Sequence, residues 1–289
     1  MAIYTLTSSQ LTISIVEHGA ELRSIQTPQG REWLWQADPK VWPRHAPILF
    51  PIVGRLKDDN LRHQDKTYRL TQHGFARDMA FAIERHGANH CTLLLKDDAT
   101  TRAQFPFAFE LRVTYQVTGN RINIFYEVTN PGADSLPFGI GAHPGFVWPL
   151  APDVAKDAHR ISFTQAEPQP IRRLENGLLL PDPFPTPITE QSLALNDELF
   201  RRDVVLFDHI NSRSVTFEAP GKAAITIGFP DFPHFGIWTK PGADFLCIEP
   251  WQGYASPQDF DGPFVTKPGL AHLAPGEART WHYWIDITN

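Results

Sequence analysis

Residues 110–129 read ELRVTYQVTGNRINIFYEVT, two apolar–polar alternations separated by a turn signal. Leu111, Val113, Tyr115 and Val117 share one face of an extended segment, and Ile122, Ile124, Tyr126 and Val128 share one face of the next, because strand side chains alternate with period two. Gly119 and Asn120 between them are residues that tight hairpin turns accept. The stretch therefore predicts a half-buried antiparallel hairpin.

Outward from the hairpin, short strands can be read at 11–16, 80–85, 91–95, 204–207, 224–229 and 282–287. Twenty-six prolines and nineteen glycines interrupt almost every window long enough for a helix. The expected fold is all-β, a sandwich of stacked antiparallel sheets with little helix. Residues 191–199 are the best place for a helical turn or two. The proline-rich stretch 168–187 reads as a long loop, but strand signals flank it without a change of composition, so one domain over 1–289 is expected.

Apolar residues make up 42% and charged residues 20% of the 289, ordinary values for a folded chain. The net charge of −6, from 26 basic and 32 acidic residues mixed along the sequence, lacks the basic block of a nucleic-acid or anionic-membrane binder. No apolar run approaches the roughly 20 residues needed to span a bilayer. Cys91 and Cys247 are too few for a disulfide framework, and MAIYTLTSSQ lacks a signal-peptide pattern, so a cytoplasmic protein with free thiols is expected. Its partner should be a small, uncharged molecule.

Acid–base groups and fixed cations occur in four separated segments: VGR ending at Arg55, QHGFAR with His73 and Arg77, GAHPGF with His143, and CIEPW with Glu249. Two imidazoles, a carboxylate and a guanidinium suffice to move protons on and off oxygen atoms while holding a polar substrate. Glu249, between Ile248 and Pro250, reads as a carboxylate against apolar neighbours, a setting that raises its pKa towards that of a general base; the alternative is a solvated strand terminus. His143 lies among Gly139, Gly141, Pro144 and Gly145, either facing a site or hydrogen-bonded in the core. The glycine spacing there is not a dinucleotide fingerprint.

His73 and Arg77, four apart, would share a face of an extended strand, or Arg77 would pair with Asp78 at the surface. Arg55, ending the apolar run ILFPIVG, either reaches a pocket or meets a buried carboxylate. Trp35, Trp42, Trp148, Trp238 and Trp251 could offer flat faces to a sugar ring, with Trp251 best placed beside Glu249. Cys247 would share a strand face with Glu249, as a buried thiol rather than a nucleophile. His86 and His90 in HGANH read as a turn, and no metal is assigned.

Together LFPIVGR, HGFAR, HPGF and EPW, in this order and spacing, resemble the aldose 1-epimerase (galactose mutarotase-like) family, most of all its LacX-type branch. The resemblance covers nearly the whole chain. It implies a β-supersandwich, no cofactor, and interconversion of the α and β anomers of a free aldose; a monomer or homodimer is expected. By resemblance Glu249 would be the general base that deprotonates the anomeric hydroxyl and His143 the acid that protonates the ring oxygen. Arg55 and His73 would hold the sugar, with Arg77 and Trp251 as further contacts and Asp208, in LFDHI, in the interval of the family's sugar-binding aspartate.

The sequence departs from the galactose mutarotase pattern: HGF stands for HGG, HPGF for a longer HPYFN string, and EPW where a QPE-like string is expected. The sugar is therefore left open. One alternative is a hexose-6-phosphate 1-epimerase gripping phosphate through Arg44, Arg77, Arg172 or Arg173. Another is a noncatalytic carbohydrate-binding or sensor protein on the same sandwich. A glycosidase ranks last, since it needs two carboxylates and one stands out.

Overall fold

The hairpin forms as read. In the computed structural model, which describes residues 2–219, 221 and 223–288, Glu110–Thr118 and Arg121–Thr129 pair antiparallel with Thr118 opposite Arg121. Gly119 takes φ +58° at the first of the two loop positions, where tight hairpins place glycine. None of the eight inward side chains is more than 1% exposed. Burying an aliphatic or aromatic side chain contributes roughly 1.5–3 kcal/mol, so this hairpin anchors the core around it.

It lies within a nine-stranded antiparallel sheet, ordered Ser192–Ala194, Arg160–Phe163, Ser214–Glu218, Ala224–Gly228, Ala278–Thr288, Arg121–Thr129, Glu110–Thr118, His90–Lys96 and Ala82–His86. A second, six-stranded sheet contains β1 (Ile48–Leu49), β2 (Ile140–Ala142), β3 (Gly145–Val147), β4 (Val205–Phe207), β5 (His234–Trp238) and β6 (Phe245–Gln252). Its order is β4-β5-β6-β2-β1, with β3 also paired to β6. The sheets face each other across one apolar core, where Phe235 of β5 meets Phe229, just past Ala224–Gly228, at 4.6 Å between ring centroids.

Period-two alternation divides β6 between two jobs. Leu246 and Ile248 point into the main core, while Phe245, Cys247 and Trp251 belong to smaller apolar clusters on the other face. Glu249 falls in that second set.

One local expectation holds in part and another fails. Of residues 191–199 only the end is helical: Ser192–Ala194 edges the nine-stranded sheet, because Leu193 and Leu195 are buried at a spacing of two, not of three or four. Only the 3₁₀ turn Asp197–Phe200 follows, with the Asn196 side chain accepting from Leu199 N–H at 3.0 Å. His73 and Arg77 do not lie on one strand either, since His73 and Gly74 are left-handed and Ala76–Asp78 is a 3₁₀ turn. The short helix Ala99–Arg102, closed by a capping box from Asp98, gave no signal in the sequence. Within 168–187 the chain makes a small hairpin of Leu174–Glu175 with Leu178–Leu179.

Candidate active site

The segment GIGAHPGF runs along one edge of β6 as an interrupted strand. Gly141 pairs with Trp251 on one side of the interruption and Gly145 with Cys247 on the other. Pro250, lacking an N–H, cannot hold a continuous ladder between them, and Ile248 N–H instead donates to Pro144 O at 3.3 Å. His143 therefore arches out beside Glu249, its Nε2 3.2 Å from Glu249 Oε2. Both residues are buried, and Glu249 Oε2 and His143 Nδ1 have no hydrogen-bond partner.

Burial pushes the Glu249 carboxyl well above the usual carboxylate range, and the nearby Asp203 pushes it the same way. The Trp251 indole favours the charged form, although its Nε1–H has no partner at hydrogen-bond geometry. Burial pushes the His143 imidazole down to about 3, reinforced by the Arg77 and Arg44 guanidiniums. Burial thus pushes both members of the pair towards their neutral forms. One proton shift converts it to carboxylate and imidazolium, so it can donate at one oxygen while accepting at a neighbouring one.

His73 stands edge-on to His143 at 5.6 Å. Its Nδ1 accepts from Gly54 N–H at 3.1 Å, so the neutral ring carries its hydrogen on Nε2; burial, then Arg77, keeps it neutral. The loop carrying it is clamped: Phe75 N–H and Ala76 N–H both donate to Phe50 O at 3.1 Å. Arg77 Nη2 donates to Gln72 O at 2.7 Å, while its Nε is buried without a hydrogen bond, 3.7 Å from Asp78. Asp78 itself is held by Arg44 at 2.8 Å. Burial lowers Arg77 to about 10, which leaves it cationic at neutral pH.

Three glycines let two indoles lie flat against the sheet. A Cβ at Gly141 or at Gly236 would stand 2.5 Å from the Trp251 ring, and one at Gly145 2.7 Å from Trp42. Trp42 in turn stacks on His143 at 5.1 Å, and Trp238 meets that imidazole edge-on at 5.7 Å. Glu249, His143, His73 and Arg77 share the wall of a cavity of about 460 Å3 with these three indoles. Such a volume, apolar faces and few polar groups describe a small-molecule site.

A model of the family described as aldose 1-epimerase matches residues 2–286. The chain belongs to the aldose 1-epimerase family. It is 34% identical to the chromosomal protein LacX of Lactococcus lactis subsp. lactis, covering 98% of this chain and 99% of that one. A galactose mutarotase related enzyme from Lactobacillus acidophilus superposes with a TM-score of 0.93 at 34% identity, covering 100% of this chain and 98% of that one. A galactose mutarotase-like protein from Lactobacillus casei superposes with a TM-score of 0.91 at 30% identity, over 99% of this chain and 100% of that one. The all-β sandwich is the fold of these epimerase relatives, and no described helix is long and apolar enough to cross a membrane.

Of the residues singled out in the sequence, the cavity brings together Glu249, His143, His73, Arg77 and Trp251. Two others stand elsewhere. Arg55 pairs with Asp59 at 2.7 Å and is absent from the cavity wall, so of its two readings the carboxylate holds. Asp208 pairs with Arg172 at 3.0 Å and is likewise absent from the wall. The aspartate that does line the cavity is Asp203, held at φ +64° with burial raising its pKa. RRD reads as a surface turn, and Asp203 is exposed there while bordering the cavity. Lys240 is the other charged wall residue that sequence reasoning missed; its TKPGAD context also reads as an exposed turn.

The buried histidines predict acid sensitivity. Burial lowers His45 and His234 to about 4, besides His143 and His73. A histidine with a depressed folded pKa contributes its full stability above the unfolded value near 6.5 and loses it as pH falls through the window below, because the unfolded chain binds the extra proton. Glu249 and Asp203, raised by burial, work in the opposite sense but are two groups against four. Unfolding free energy from urea titrations should drop on the order of 2–5 kcal/mol between pH 7 and pH 5. A flat or rising profile would mean that these imidazoles are protonated in the folded protein.

Proposed function

We propose that the protein is an aldose 1-epimerase acting on a free aldose, with Glu249 and His143 as its base and acid. The 3.2 Å separation of the two groups carries this reading. The anomeric hydroxyl and the ring oxygen are bonded to one carbon, so a base for the first and an acid for the second must be neighbours. Shifting the shared proton onto His143 readies both. Glu249 takes the hydroxyl proton while His143 protonates the ring oxygen, and the bond from C1 to the ring oxygen breaks to give the open-chain aldehyde. Rotation about C1–C2 and reclosure, with both transfers reversed, give the other anomer and restore the pair.

His73 Nε2–H, Arg77 and Asp203 line the cavity as hydrogen-bonding groups, and Trp251 offers an apolar face to the ring. Such fixed contacts lower the barrier by holding the substrate against the acid–base pair. A second reading, a hexose 6-phosphate substrate, draws on Arg77, whose Nε lacks a partner, and on Lys240 on the same wall. Arg172 and Arg173 do not support it: one is paired with Asp208 and the other donates to the carbonyls of Asp203 and Val204.

The test is NMR or polarimetry of freshly dissolved α-glucose and α-galactose. Acceleration that His143→Ala loses supports the free-aldose reading; acceleration of glucose 6-phosphate alone supports the second; binding without any rate would make the protein a sugar sensor. Arg55→Ala should leave kcat/KM within about threefold, whereas Arg77→Ala should lower it tenfold or more, the usual range for losing a charged hydrogen bond. Equal losses in both variants would bring Arg55 back to the substrate.

A further inference from the structure

Cys247 lies two residues before Glu249 on the same side of β6, opposite Gly145 on one flank and Trp238 on the other. A Cβ at Gly145 would stand 3.5 Å from its Sγ, so glycine there leaves room beside the sulfur. One ligand atom each from His143, Cys247 and Glu249 lie within 4.8 Å of one another. All three residues are buried, and unpartnered polar atoms on two of them, Glu249 Oε2 and His143 Nδ1, have no internal hydrogen bond to give up. Nitrogen, sulfur and oxygen together suit Zn2+ and its analogue Co2+ and do not suit the hard cations Mg2+ and Ca2+.

We propose that His143, Cys247 and Glu249 capture one thiophilic divalent cation, with the fourth position turned to the cavity, and that the captured ion blocks the acid–base pair. In a tetrahedral zinc site the ligand atoms stand about 3.3–3.8 Å apart. The imidazole and carboxylate, at 3.2 Å, stand about 0.1 Å inside that spacing, and the sulfur has at most about 1 Å to close. Coordination uses the lone pairs with which His143 and Glu249 would exchange protons, and the protons of the Glu249 carboxyl and the Cys247 thiol are released to water as carboxylate and thiolate bind. The ion therefore opposes the reaction. The block rests on the proposed epimerase reading; the capture does not.

The experiment separates the two. The intact protein is titrated with CoCl2 and, separately, dialysed against ZnCl2 and analysed for metal. One ion per chain is expected, with a thiolate-to-cobalt charge-transfer band that vanishes in Cys247→Ser and Cys247→Ala and persists in Cys91→Ser. In the anomerisation assay ZnCl2 should stop the wild type, a chelator should restore it, and Cys247→Ser should retain activity and require at least tenfold more zinc for inhibition. Absence of stoichiometric metal, or a band that survives loss of Cys247, overturns the site whether or not any sugar is turned over. Metal bound through Cys247 with an undiminished rate overturns the block.

Discussion

Glu249→Gln is expected to slow anomerisation about a thousandfold while making the folded protein more stable. General acid–base catalysis contributes roughly 10²–10⁴ in rate, and glutamine keeps the shape of the side chain but cannot accept the anomeric proton. The stabilisation follows from the same burial that makes the residue useful. A carboxyl raised well above its usual range loses stability as pH rises past its unfolded value, and at neutral pH folding must carry that cost. The amide is neutral at every pH, and its N–H can donate to the neighbouring His143 Nε2, 3.2 Å from the present oxygen. The gain should be about 1–3 kcal/mol at pH 7 and smaller at pH 5, read by urea unfolding alongside the rate. A variant within tenfold of the wild-type rate would remove Glu249 from its assigned role.

Gly74→Ala should cost about 3–5 kcal/mol, the largest stability loss expected of any single methyl group near the site. Gly74 is left-handed at φ +68°, and its Cβ would stand 2.3 Å from Phe50 O, the carbonyl that accepts both N–H groups of the following residues. Two penalties add there, backbone strain and a collision with main chain that cannot swing aside. Gly30 supplies the control: its φ is +79° and nothing lies within 4 Å of its absent Cβ, so Gly30→Ala should cost only the strain, about 1 kcal/mol. Equal losses at the two positions would show that the contact with Phe50 is immaterial. Where Gly74→Ala still folds, its activity should fall too, because His73 and Arg77 ride on the displaced loop.

How far the site could be read from sequence depends on what each residue needed. The hairpin of 110–129 was legible because burial of one strand face imposes a period of two directly on residue choice. Glu249 and His143 were legible as residue types in unusual settings, apolar neighbours for one and glycines for the other. Their meeting was not, since it depends on which residues of β2, β3 and β6 stand opposite each other. Asp203 escaped because RRDVV reads as an exposed turn, and only the folded chain brings that turn to the cavity's edge. Arg55 stands off the cavity wall for a similar reason: the sequence shows a cation after an apolar run, but the partner four residues on, Asp59, comes within 2.7 Å only once the 3₁₀ turn Lys57–Asp59 folds. Leu193 and Leu195 show the limit of reading helix from composition, because an edge strand needs no more than two inward residues.

The arch of His143 beside Glu249 has a consequence for how such proteins diverge. Both groups belong to a single hydrogen-bonded ladder, β6 with the β2 and β3 segments along its flank, whereas Arg77, Asp203 and Lys240 come from connections outside that ladder. Under the proposed epimerase reading, mutations in the connections would retune which sugar is accepted without altering the 3.2 Å spacing of His143 and Glu249. On that reading chemistry and selectivity would be inherited on separate parts of the chain, a modular scaffold whose substrate can drift while its reaction stays fixed.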